Sequence, residues 1–216
     1  MTKAGSDAVA IAYERIRNEI ISGVLVEHER LTEQSLSVRL GISRTPVRAA
    51  IARLVHEGFI EKGQGYSTRV AQFSEDELEQ IFQLRLQLEG FAARRAAQFA
   101  GAAQLKKLRS LATRMSELTP PENQGEHAEL SSCNEQFHRT IAEAARSPRL
   151  LAMLSVAIDV GVVARTYTLY SEIDLQRSSR HHHEITDAIE AGSPDWAESV
   201  MRSHLLAAQA TVRRIE

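Results

Sequence analysis

GISRTPVRAAIARLVHEGFI, residues 41–60, carries the punctuation from which the front of the chain is read. Gly41 permits a tight turn, because without a Cβ a positive φ costs little. Ser43 is a helix-capping residue type, and the helix it opens turns Val47, Ile51 and Leu54 inward at helical spacing. Gly58 stops that helix. Upstream, RLTEQSLSVRL (30–40) reads as a short helix capped by Thr32 and carrying Leu36, Val38 and Leu40. Further upstream an amphipathic helix runs from about Asp7 to Ser22, with Ile11, Ile16, Ile20 and Ile21 near one face and Gly23 at its end. Downstream the period changes. FIEK and YSTRV flank Gly63-Gln64-Gly65, two strand-like runs about a hairpin tip. Helix, helix, turn, helix and hairpin describe a winged helix-turn-helix, whose second short helix fits the DNA major groove.

On that helix Arg44 and Arg48 sit four apart and point away from Val47 and Ile51. Ser43 and Thr45 add hydroxyls at a helix N-terminus, where backbone N–H groups favour a phosphate. Two arginines are otherwise an ordinary solvated face. Here the turn pattern independently nominates their helix for insertion into a groove.

The rear of the chain has a different character. Residues 1–72 carry 10 Lys+Arg against 8 Asp+Glu, and residues 73–216 carry 16 against 20, a mildly basic front on an acidic rear. From Ser74, which forms a capping box with Glu77, to the end there is no strand alternation. Six helical stretches are expected near 75–100, 102–118, 124–146, 148–171, 175–191 and 194–215, with Pro148 and Pro194 in first-turn positions. The fold expected is mainly α: a winged helix-turn-helix over 1–72, then an all-helical bundle of about six helices over 73–216. With 216 residues, 43% hydrophobic and 25% charged, the chain can bury such a core. One cysteine, Cys133, makes no internal disulfide and fits a reducing cytoplasm. No apolar run approaches the roughly 20 residues a membrane helix needs, and a net charge of -2 is a poor fit to a nonspecific DNA coat.

The bundle contains RHHHEITDAIEAG, residues 180–192, with three consecutive imidazoles. His182 lies three before Ile185 and shares the buried face, whereas His181 and His183 point elsewhere and are expected to be solvated. His138, with Asn134 one turn earlier, and His204 lie on two other helices. Three inward histidines on three helices each need a partner. One divalent metal would satisfy all three; separate hydrogen bonds to backbone or water are the alternative. Arg85, one turn before Glu89, is either an intrahelical ion pair or a pocket-facing cation able to grip a carboxylate. Arg165 and Tyr167 are weaker pocket candidates, since a lone arginine among valines is often a snorkelling one. A metal centre could also activate water, but no glutamate stands in an HExxH arrangement to act as base.

The string SRTPVR, with the rest of residues 8–72, resembles the DNA-binding domain of GntR-family bacterial transcription regulators. FQLRLQLEGFAARRAA, NEQFHRTIAEAA, HHHEITDAIEAG and MRSHL resemble the FCD effector-binding domain of the FadR branch, and the six helices resemble its VanR-type subgroup. The resemblance implies base-reading roles for Arg44 and Arg48, phosphate or base-edge contacts for Ser43 and Thr45, and minor-groove entry for Gly65. Gln34 stands where some members use arginine, so a weaker contact is expected there. In the bundle it implies a divalent ion (zinc, nickel or manganese) held by His138, His182 and His204, with Asn134 where an aspartate is usual. It further implies repression released by a small effector such as an organic acid near Arg85, with Arg165 the weaker candidate; a homodimer on operator DNA is expected because one short module reads only a few base pairs.

Overall fold

The computed structural model describes residues 3–21, 24–26, 28–62, 68–71, 75–157 and 169–213. Among these, residues up to Ala71 form one compact unit and residues from Glu75 onward form a second.

The first unit contains α1 (Lys3–Ile21), β1 (Arg30–Leu31), α2 (Glu33–Leu40), α3 (Arg44–His56), β2 (Ile60–Lys62) and β3 (Thr68–Val70). Thr32 caps α2 reciprocally: Ser35 N donates to its Oγ1 at 3.0 Å while Thr32 N donates to Ser35 Oγ at 3.2 Å. Gly41 ends α2 at φ 67°, and the next amide, Ile42 N, returns to the Ser37 carbonyl. Ser43 occupies the N-cap of α3 with extended backbone, although its side chain makes no capping bond. Gly58, at φ 75°, allows Phe59 N to reach back to the Leu54 carbonyl. β3 pairs antiparallel with β2, Glu61 opposite Arg69, and also with β1, Arg30 opposite Arg69, giving the order β1-β3-β2. The hairpin tip, including Gly65, lies outside the described residues.

This unit closes over Tyr13, Ile16, Ile20, Leu36, Leu40, Val47, Leu54 and Phe59. Two expected core residues are not in it. Ile11 is 52% exposed and Val38 80%, because the inward stripe of α1 passes through Ala12, Tyr13 and Ile16, and α2 buries only Leu36 and Leu40. An eight-residue helix offers one narrow face to the core, and residues two apart cannot share it.

The second unit comprises α4 (Glu75–Phe99), α5 (Ala102–Glu117), α6 (Gln124–Ala144), α7 (Pro148–Ala157), α8 (Glu172–Glu190) and α9 (Pro194–Val212). α4 packs on α9, α6, α7 and α8, while α5 packs on α6 and α8. At Gly90 a Cβ would stand 3.2 Å from Arg202 Cγ, so glycine brings α4 and α9 close together. The helix opened by Pro148 is described only to Ala157, and Arg165 and Tyr167 lie outside the described residues, as does the Ser74 cap. The fifth stretch begins earlier than the expected Leu175. Ser171 caps it, with its Oγ accepting from Asp174 N, and Asp174 Oδ2 accepts in return from Ser171 N. That signal outweighs Ile173-Asp174 as a break.

Gly41 is the residue on which the turn between α2 and α3 depends. A Cβ there would touch nothing within 4 Å, so the cost of replacing it is conformational alone. Gly41→Ala should lower the stability of the first unit by roughly 1–2 kcal/mol, and Gly41→Asn by less, because asparagine tolerates the left-handed region. Denaturant titration followed by circular dichroism measures both.

Candidate functional site

The first face of interest is the exposed start of α3. Ser43, Arg44, Thr45 and Arg48 are all solvent-exposed there, and Gln34 is exposed on α2. Beneath them Val47 and Leu54 are fully buried, so the helix is anchored on one side and open on the other. One residue that sequence reasoning missed joins the arginines. Glu33, the first residue of α2, accepts from Arg48 Nε at 2.6 Å and Arg48 Nη2 at 2.8 Å, and from Arg44 Nη2 at 3.2 Å. The hydrogen bond from Arg48, with that from Arg44, holds its carboxyl down at about 2. The available signal was an acidic residue following a capping threonine, which also reads as ordinary helix-start chemistry.

The second site lies inside the bundle. α6 supplies His138, α8 supplies His182 and α9 supplies His204; their exposures are 9%, 1% and 5%. The ring centroids are 5.9 Å apart for His138 and His182, 5.3 Å for His138 and His204, and 4.7 Å for His182 and His204. One nitrogen from each ring lies within 4.8 Å of those of the other two. The packing follows from the sequence: His182 precedes Ile185 and Ile189, both buried, and Met201 and Leu205 are buried on either side of His204. Asn134 is 2% exposed, one turn before His138 on the same helix.

These imidazoles are poorly provided for by the protein. His138 Nε2, both nitrogens of His182, and His204 Nδ1 are buried with no hydrogen-bond partner among the described residues. Buried polar atoms normally have partners. Burial, together with the neighbouring rings, pushes the protonation of His182 and His204 well below the ordinary histidine range. Neutral rings keep a lone pair, which is what a metal ligand needs. The donor set therefore fits a divalent ion better than it fits a set of separately bonded core histidines.

His138 is oriented from outside. Its Nδ1 is 2.5 Å from Glu89 Oε2, and Glu89 Oε1 accepts from Arg85 Nε at 2.6 Å. A carboxylate can only accept, so Nδ1 carries the proton and Nε2 presents its lone pair to the other rings. Burial by itself would raise the Glu89 carboxyl, but Arg85 and His138 more than offset this and hold it at about 2. Arg85 is thus an intrahelical ion pair and a buried cation beside the histidines at once, 3% exposed. The expectation that His181 is solvated is corrected, while His183 remains partly exposed. The His181 ring stands 5.9 Å from that of His204, and His181 Nδ1 is buried with no hydrogen-bond partner among the described residues. Together with Tyr170, Asp174, Arg177 and Ser178 these two rings line a narrow crevice. The reason is geometric: residues adjacent on a helix differ by about 100° in direction, so a ring beside an inward one can still meet a neighbouring helix.

The depressed protonation of His182 and His204 fixes a pH dependence for the metal-free protein. Both rings stay neutral when folded, whereas the unfolded chain takes up protons below about 6.5. Stability contributed by these groups is complete above that value and is lost as pH falls below it. In chelator the bundle should lose stability, on the order of a few kcal/mol, as pH falls from roughly 6.5 to 5. Urea midpoints in that interval test it, and a flat profile would contradict the burial argument.

Comparison with known proteins finds matches to both parts of the chain. Residues 9–70 match the gntR family of bacterial regulatory proteins, and residues 80–207 match the FCD domain. A Paenarthrobacter nicotinovorans protein named "Probable D-xylose utilization operon transcriptional repressor" is 31% identical, over 88% of this chain and 81% of that one. The transcriptional repressor NanR of Enterobacter sp. (strain 638) is 28% identical over 83% of this chain and 75% of its own. The Glc operon transcriptional activator of Escherichia coli (strain K12) is 27% identical over 95% and 89%. Escherichia coli McbR/YncC shares the fold with a TM-score of 0.76 at 18% identity, each chain covered fully. No described helix is long and apolar enough to cross a membrane. The chain belongs to the GntR family of bacterial regulators, with an FCD domain behind its helix-turn-helix, and is a ligand-responsive DNA-binding transcription regulator.

Proposed function

We propose that residues 1–72 read an operator through Ser43, Arg44, Thr45, Arg48, Gln34 and Gly65, and that residues 73–216 sense a small anionic metabolite at a metal held by His138, His182 and His204. The observation that carries the sensing half is the set of buried, unpartnered imidazole nitrogens contributed by three helices. Asn134 offers a neutral carbonyl in place of a carboxylate, so the donor set is uncharged and favours zinc or nickel over manganese. Arg85 and Glu89 cancel one another, which leaves a bound dication uncompensated in a buried site. An organic acid supplies the missing negative charge, and Arg85, whose Nε is committed to Glu89, offers its remaining donors to the same carboxylate. The ion itself would act as a Lewis acid that binds the guest's oxygen. Arg165 is assigned to the same guest.

Binding can change transcription only if the guest has different affinities for two arrangements of the protein. A homodimer on a palindromic operator supplies such arrangements, since one helix-turn-helix reads a single half-site. Repression is the reading favoured here, in line with the names of two relatives, and the cytoplasm is where such DNA is met. The regulator reading is also favoured over an enzyme, because both oxygens of the buried glutamate are already engaged and neither is available as a general base.

Native mass spectrometry with elemental analysis tests the centre. A dimer carrying about one transition metal per chain is expected. His182→Ala should remove most of the metal and His183→Ala should change it little. A metal-free wild type that still releases DNA on adding an organic acid would defeat the metal centre and leave the regulator intact.

A further inference from the structure

Arg48 and Arg44 converge on one carboxylate. Glu33 is less exposed than either arginine, with its side chain at 27% against 65% for Arg48 and 62% for Arg44. It stands on the first turn of α2, which the Thr32–Ser35 cap fixes. The two guanidiniums therefore rest on a carboxylate that is itself held by the adjacent helix of the motif. An exposed ion pair adds little to stability, so its geometry calls for another reason.

The donors that remain give that reason. A guanidinium has five N–H groups. Arg48 uses Nε–H and one Nη2–H on Glu33, the side-on edge of the fork. Among the described residues nothing accepts from the other Nη2–H or from either Nη1–H, and that end-on edge matches the O6 and N7 acceptors of a guanine in the major groove. A carboxylate at this place also repels phosphates, so a surface built for affinity alone would lack it. Both effects act in one direction, toward discrimination and away from general attraction.

We infer that Glu33 is a positioning residue for base reading, one that locks the Arg48 guanidinium side-on so that its outer donor edge meets a guanine. The inference rests on the proposed reading that Arg44 and Arg48 face DNA. Arg44, held by a single contact, is oriented less firmly by the same carboxylate. Glu33 stays ionised throughout the physiological range, so the arrangement does not switch off with pH.

The test begins with selection of a preferred duplex from a randomised library by the full-length wild type, Arg48→Ala, Glu33→Gln and Glu33→Ala. Fluorescence anisotropy then measures binding of the selected duplex and of an unrelated duplex of equal length, at two salt concentrations. Both Glu33 variants should melt like the wild type and bind the unrelated duplex more tightly. Their preference for the selected duplex should fall by roughly tenfold, within the range of one bidentate base contact. The guanine that Arg48→Ala loses should also relax in the Glu33 selections. If the Glu33 variants strengthen both duplexes by one factor and enrich the wild-type motif unchanged, Glu33 is only a counter-charge and the inference is overturned. If Arg48→Ala itself keeps the motif, the underlying DNA-facing assignment fails and takes the inference with it.

Discussion

The buried ion pair between Arg85 and Glu89 is the constraint around which the rear unit is arranged. A carboxylate taken out of water must be compensated, and here a guanidinium one turn away and an imidazole from another helix do so together. That requirement ties α4 to α6 through His138 and fixes which nitrogen of His138 holds the proton. The free nitrogen then faces His182 and His204. Remove the glutamate and two things fail together: a buried arginine loses its partner, and the ring that opens the centre loses its orientation.

The polar cluster survives because the apolar packing around it leaves no alternative. Phe137 is fully buried, with its ring 4.8 Å from that of His182 and 5.9 Å from that of His138. Ile185, Met201 and Leu205 are also fully buried. The histidines cannot turn to water without breaking this core. Packing of this kind holds the three rings in one arrangement.

The front unit is held in another way, by short-range signals. Thr32, Gly41, Gly58 and the β2–β3 pairing each act over a few residues, and together they set α3 beside α2. The same arrangement brings Glu33 to Arg48 across fifteen positions of chain. Turn chemistry of this kind is local, and the same fold recurs at 18% identity.

Sequence alone was enough for the helix-turn-helix, the strands either side of the wing and the helical bundle, because capping residues, glycines and periodicity are local properties of the chain. It also nominated His138, His182 and His204, His182 through the face it shares with Ile185 and the set as a whole through the family resemblance. Only the tertiary structure decided the rest. Val38 and Ile11 turned outward, β1 joined the sheet, and His181 came to lie against His204. Glu89 as the partner of His138, and Glu33 as the partner of Arg48, are contacts between separate elements. Their existence depends on how helices are placed in space, and no spacing along one helix encodes that placement.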